Sequence, residues 1–187
     1  MTIRFPAEIP VLETGHLRLR ELQPGDAADV FHLYADPEVV RFYDLDLFTT
    51  KEQARELIQR QARRFASQEA MRWAITQQLD GRVIGTVGYV FDGPNDAAGL
   101  GYDLSSSYWR RGITSAAVRL VINYGFRSLR LHRIQALVMP ANTPSAALLR
   151  KLGFQEEGLL RQSVLIKGRY HDMRCFSLLS HEWPGLE

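Results

Sequence analysis

The feature that most constrains this chain is the alternation of patterns between residues 100 and 154: strand, helix, strand, helix, with little between them. Residues 100–104 and 133–139 carry strand-like apolar runs. Between them, Ala117, Leu120, Val121 and Tyr124 recur at helical spacing, so YWRRGITSAAVRLVINYGF (residues 108–126) reads as a crossover helix with a basic lead-in. A strand, a crossover helix and a second strand in one sheet make a parallel pair. Both strand ends and both following helix starts then lie on one edge of the sheet. The second helix, residues 144–152, is punctuated: Thr143 can cap it, Pro144 suits its first turn, and Gly153 can close it.

Upstream, HLRLREL (residues 16–22) alternates as a half-buried strand, Pro24-Gly25-Asp26 opens a helix towards Tyr34, and Asp36-Pro37 starts a short one. Thr50 and Gln53 form a capping-box pattern ahead of an amphipathic helix over 51–66, with Ala54, Leu57, Ile58, Ala62 and Phe65 on one face. Residues 72–76 and 83–91 flank an Asp80-Gly81 turn as a hairpin, and a Gly/Pro/Asn loop over 92–97 follows. Late strands fall near 154–159 and 173–179. Early helices, a run of strands and a closing strand–helix alternation predict one mixed α/β domain over residues 1–187, with no linker or internal repeat.

Composition narrows the function. At 45% hydrophobic and 24% charged the chain reads as a soluble globular protein, and a net charge of +2 argues against a nucleic-acid partner. The lone Cys175 excludes an intrachain disulfide framework and suits a reducing cytosol. MTIRFPAEIP has no signal-peptide core, and no apolar run approaches the ~20 residues that span a bilayer. The expectation is a cytoplasmic protein with no membrane partner. His16, His32, His132 and His181 show no metal-ligand spacing among themselves or with Cys175, so no metal is expected.

The chemistry gathers where the crossover helix begins. A helix start leaves about four backbone N–H groups unpaired and carries roughly half a positive charge. Gly112 lets the preceding turn point its amides outward, Thr114 and Ser115 add hydroxyl donors, and Arg110 and Arg111 can neutralise phosphate oxygens. A diphosphate fits this set better than a lone carboxylate; a capped surface helix with solvated arginines is the alternative. Neither G-x-x-x-x-G-K-[ST] nor G-x-G-x-x-G occurs. In MPANTPSAALLRKLGF (residues 139–154), Asn142 and Ser145 can reach a ligand lying along the same sheet edge, with Arg150 and Lys151 adding charge.

YWRRGITSAA, HRIQALVMPANTPSAALLRKLGFQEEG, GRYHDMRCFSLL and the opening LETGHLRLREL together resemble the GNAT acetyltransferases, specifically the RimJ/RimL type, over residues 12–183. The resemblance implies the GNAT fold: a central, mixed, mostly antiparallel twisted sheet in which two parallel strands splay apart, flanked by helices. It implies acetyl-coenzyme A (acetyl-CoA) as donor and a primary amine as acceptor. The strands at 100–104 and 133–139 would form the cleft. Backbone amides from Arg111 through Gly112, Ile113 and Thr114 to Ser115 would bind the pyrophosphate, with Arg110, Asn142, Ser145 and Lys151 beside the coenzyme.

Several positions depart from the family pattern. Trp109 and Thr114 stand where the loop commonly has Gln or Arg and Gly or Ala; Thr114 brings a methyl near the phosphates and a hydroxyl that can offset it. Leu149 replaces a tyrosine that protonates the departing thiolate in many relatives, leaving Ser145 or a water as the acid; Ser145 can equally be a capping or coenzyme-binding residue. Gly99 replaces a glutamate, and Asp103 lies four residues on, on the same strand face. It is read either as a substitute base or as a solvated strand-end residue.

Attack on a thioester needs a neutral amine. An α-amino group has pKa about 7.7–8.0 against about 10.4 for lysine, so the missing base favours a protein N-terminus or another amine of low pKa. Transfer would be direct, through a tetrahedral intermediate, with backbone N–H near Val138 polarising the carbonyl. In RYHD, Tyr170 and Asp172 are candidate acceptor contacts; His171 can relay a proton or serve as a turn device. Phe42 and Tyr43, with Asp44 and Asp46, are candidate acceptor-pocket residues, unless the aromatics are core. Cys175 reads as buried. Two other functions remain open: a catalytically degenerate acyl-CoA-binding sensor, and a polyamine or antibiotic acetyltransferase. The oligomeric state is read as monomer or homodimer.

Overall fold

The computed structural model describes residues 3–15, 17–78 and 80–186. It opens with two short strands, β1 (Leu12–Thr14) and β2 (Leu17–Glu21); His16 lies outside the described residues. The expected helix from Pro24 divides in two. Pro24–Asp26 is a 3-10 turn, closed by Asp26 accepting from the Gln23 N–H (2.7 Å) and from Arg20 (2.7 and 2.8 Å), and α1 (Ala27–Tyr34) follows. Helix α2 (Pro37–Val40) is one turn, its Glu38 N–H capped by Asp36 (2.9 Å). Helix α3 (Lys51–Ala66) has the expected bounds, and Gln53 Oε1 accepts from the Thr50 N–H (3.0 Å).

The middle strands are β3 (Ala70–Gln77), β4 (Val83–Asp92) and β5 (Ala97–Leu104). Then come α4 (Ile113–Arg127), β6 (Arg133–Val138), α5 (Thr143–Lys151), β7 (Gln155–Ile166) and β8 (Arg169–Leu179). Among the described residues eight strands form one sheet in the order β1-β2-β3-β4-β5-β6-β8-β7, antiparallel except for β5 and β6. Two corrections concern ends. Asn142, not Thr143, caps α5, accepting from the Ser145 N–H (3.3 Å). The late strands are also far longer than expected and make one extended hairpin.

Strand alternation gives the sheet two faces, each with its own core. One carries Trp73, Val87, Tyr89, Leu100 and Ile134 against α4 and α5. Tyr89 Oη donates to the Val121 carbonyl (2.8 Å) and pins α4 to β4. The other face packs Ala74 and Val83 under α1 and α3 through Val30, Leu33, Leu57 and Ile58. Helix α2 is held from two sides: Ser106 Oγ donates to Asp36, and Lys167 Nζ, at the β7–β8 turn, donates to the Val40 carbonyl (2.9 Å). Among the described residues no helix is long and apolar enough to cross a membrane.

Candidate active site

Strands β5 and β6 pair only over Ala97–Arg133, Ala98–Ile134 and Gly99–Gln135. Beyond Gly99, β5 keeps its antiparallel partner β4 to Leu104, and β6 keeps β8 to Val138, but the two no longer pair with each other. The segments Leu100 to Asp103 and Ala136 to Val138 therefore present unpaired backbone edges to a cleft. That cleft is open to donors and acceptors from a ligand.

At its mouth α4 begins. Arg110 and Gly112 both have left-handed backbone (φ +60° and +76°), while Arg111 between them does not. This alternation turns successive N–H groups to one side, as in an anion-binding nest. A non-glycine residue held at positive φ carries about 1–3 kcal/mol of strain, so the turn at Arg110 is stabilised by its surroundings rather than by preference. Gly112 is the N-cap and has no side chain; Ile113, Thr114 and Ser115 have no backbone acceptor, and the first helical bond is Ala116 N–H to Gly112 O (3.0 Å). The first turn holds no acidic residue. A Cβ built on Gly112 would meet nothing within 4 Å, so the space above the turn is open.

Arg110 and Arg111 are exposed, and neither has an acidic partner among the described residues; the Arg111 guanidinium lies 5.5 Å from the Tyr108 ring centroid. The Thr114 and Ser115 hydroxyls are also without partners among the described residues. Ile113 differs: its side chain is buried core and only its N–H faces the turn. Trp109 is tied back by Nε1 donating to the Leu104 carbonyl (2.7 Å). These features fit a diphosphate-bearing ligand such as the coenzyme.

Asn142 and Ser145 stand at the start of α5. Lys151 is the last residue of that helix, about 13 Å from Asn142 at 1.5 Å per residue, so the fold does not gather it with them. Leu149 is fully buried (0% exposed) and belongs to the core. Val138 ends β6, buried and paired on its far side with Arg174.

Sequence reasoning missed Tyr102. Its Oη lies 2.7 Å from Ser145 Oγ, joining the splayed strand to α5. Burial pushes the phenol up to about 12, against a smaller lowering by the Ser145 hydrogen bond. Alternation with Leu100 and Leu104 marks it only as a core-face residue; nothing local points to its partner.

Asp103 corrects the expectation of a solvated strand end. It is buried (8% exposed) on the opposite face. Oδ1 accepts from the Thr86 N–H (3.0 Å); Oδ2 accepts from Arg72 Nη2 (2.7 Å), Thr86 Oγ1 (2.9 Å) and Tyr34 Oη (3.0 Å). Four donors occupy the carboxylate that was expected to serve as a base. Tyr43 stacks on Tyr34 (centroids 6.1 Å apart) with the Arg72 guanidinium 5.9 Å from its ring, while Phe42 lies under Arg41 (5.2 Å). Asp44 and Asp46 are exposed.

In the hairpin, Asp172 Oδ1 accepts from the Gln162 N–H (2.8 Å) and closes a bulge, so this oxygen is committed to the backbone. Tyr170 is 67% exposed, and His171 is half-buried without a hydrogen-bond partner among the described residues. Cys175 is half-buried rather than buried; burial, then Glu157, pushes its thiol up. Among the described residues no three His, Cys, Asp or Glu side chains gather as metal ligands.

A sheet with one opened parallel pair, and a free-amide helix start at its mouth, sets an anion site beside an open cleft. The acetyltransferase (GNAT) domain model matches residues 16–155. The uncharacterized N-acetyltransferase p20 of Bacillus licheniformis is 42% identical over 175 residues, 93% of this chain and 98% of that protein. The ribosomal-protein-S5-alanine acetyltransferase of Vibrio fischeri superposes with a TM-score of 0.79 at 26% identity, covering 93% of this chain and 98% of that one. The microcin C7 self-immunity acetyltransferase MccE, solved with acetyl-CoA and AMP, shares the fold (TM-score 0.81, 19% identity, 89% and 93% covered). The chain belongs to the GNAT acetyltransferases.

Proposed function

We propose that this enzyme transfers the acetyl group of acetyl-CoA to a primary amine, foremost a protein N-terminal α-amine, by direct attack on the thioester. The observation that carries the reading is the opened β5–β6 pair, with the Tyr102–Ser145 hydroxyls on one face and the α4 nest at its mouth. Arg110, Arg111 and the free amides at 113–115 hold the diphosphate. Backbone N–H near Val138 polarises the acetyl carbonyl. Ser145 is the proton donor to the departing sulfur, and Tyr102 fixes its hydroxyl.

With Asp103 occupied by four donors, the acceptor amine loses its proton to water, which an α-amine of pKa about 7.7–8.0 does readily near neutrality. His171, half-buried and without a hydrogen-bond partner among the described residues, is the remaining relay. Titration calorimetry with acetyl-CoA tests the donor half: binding is expected, and none at millimolar ligand overturns it. Release of free thiol with a panel of peptides tests the transfer half.

A second reading, a non-catalytic acyl-CoA sensor, draws on two facts: Leu149 is core and the Asp103 carboxylate is occupied, so neither supplies a free acid or base. Binding without thiol release above background across the panel selects it.

A further inference from the structure

Arg72 crosses two strands to reach the cleft. On β3 it stands directly opposite Gly88 of β4, which stands opposite Gly101 of β5. With no Cβ at either glycine, the arginine stem can lie flat over both strands. Its guanidinium bridges β4 and β5: Nε donates to Thr86 Oγ1 (2.7 Å) on β4 and Nη2 to Asp103 Oδ2 (2.7 Å) on β5. Nη1 lies over Gly101, where a Cβ would come within 3.4 Å of it. It has no acceptor among the described residues and is not sealed from solvent, although the side chain is only 12% exposed.

Gly101 lies within the splayed part of β5, beyond the last residue paired with β6. A permanently charged group, fixed by Asp103, Thr86 and the Tyr43 ring, therefore offers one unpaired donor beside the cleft. It faces away from the Tyr102–Ser145 pair, because successive strand residues point to opposite faces. Such a donor calls for a ligand oxygen. A polyamine has none to offer and brings further positive charge; an α-amino acyl group carries a carbonyl next to its amine.

We propose that Arg72 Nη1 recognises the carbonyl oxygen adjacent to the acceptor amine, which makes the acceptor an α-amino acyl compound rather than a polyamine. This assignment rests on the amine-acetylation reading above. The ion pair with Asp103 cancels the charge of Arg72 without using Nη1, so the contact selects by hydrogen bonding. Gly99, without a side chain on this face, leaves room for the acyl group.

The test compares kcat/KM for alaninamide, an alanine-initiated tetrapeptide, spermidine and propargylamine, an amine of basicity similar to alaninamide that has no carbonyl. Wild-type protein is expected to prefer alaninamide over propargylamine by about 10- to 100-fold, the range of one hydrogen bond to a charged group. That ratio should fall towards unity in Arg72→Lys and in Gly101→Ala, with acetyl-CoA affinity unchanged. Gly101→Ala carries the test independently of whether Arg72→Lys folds, since it sets a methyl against Nη1 and leaves the ion pair in place. The better of alaninamide and the tetrapeptide supports the assignment and says which source of the carbonyl is read. Equal efficiency on all four acceptors, or an equal loss on all four in both variants, overturns it. Acetyl-CoA binding with no acetylation of any amine overturns instead the transferase reading beneath it.

Discussion

The hydroxyls of Tyr102 and Ser145 lie 2.7 Å apart and tie strand β5 to helix α5 across the open end of the cleft. Because they share one hydrogen bond, removing either disturbs the same proton. Ser145→Ala and Tyr102→Phe should each lower kcat, Ser145→Ala by about 100-fold, as for loss of a general acid. The double variant should lose little more than the worse single one. Acetyl-CoA affinity should change little; a rise in Kd with kcat preserved would make the pair a binding device.

The nest at Arg110 and Gly112 predicts a sharp sensitivity to bulk. Gly112→Trp should abolish acetyl-CoA binding, measured by calorimetry, because the indole fills the open space above the turn and φ of +76° suits no side chain. Wild-type affinity in that variant would refute the cradle. Gly112→Ala should keep the fold with weakened binding.

Asp103 and Arg72 form a buried pair, so Asp103→Asn should cost about 3–5 kcal/mol in urea unfolding by leaving the guanidinium uncompensated. A free catalytic base would behave oppositely, losing kcat with stability intact. The two measurements on one variant separate the roles.

The alkaline limb of stability follows from phenols. Burial holds Tyr34 and Tyr89 well above their ordinary range and pushes Tyr102 up to about 12. The folded state keeps these protons where the unfolded chain, with tyrosine pKa about 10, releases them. Their contribution is thus fully present below about pH 10 and lost as pH rises above it, for Tyr102 as pH passes through about 12. A phenolate absorbance titration should show a first phase that precedes any loss of structure. Tyr34 and Tyr89 should follow only as far-ultraviolet ellipticity collapses.

Local pattern carried most of the architecture. Helix α3 is legible because its capping box and apolar spacing lie within one segment. The same holds for the nest, whose glycine, arginines and hydroxyls are contiguous. Strand β7 was read short because it is exposed along nearly its whole length and bulged near Gly158 and Gln162, so no alternation marks it. The start of β5, Ala97-Ala98-Gly99, lacks the branched residues that signal a strand. In the site, Tyr102 finds its partner 43 residues away and Arg72 finds Asp103 31 residues away. Such pairings exist only once the sheet is assembled, and no spacing in the chain announces them.

The crossing of Arg72 over Gly88 and Gly101 makes the three positions one heritable unit with unequal members. A Cβ at Gly88 would meet the Met71 carbonyl oxygen at 2.2 Å, so backbone alone forbids replacement there. At Gly101 the nearest atom to such a Cβ is the Arg72 guanidinium itself, at 3.4 Å. A lineage that loses the arginine releases Gly101 to drift while Gly88 stays fixed. Descent of the acceptor preference can therefore be followed through a glycine that never touches the acceptor.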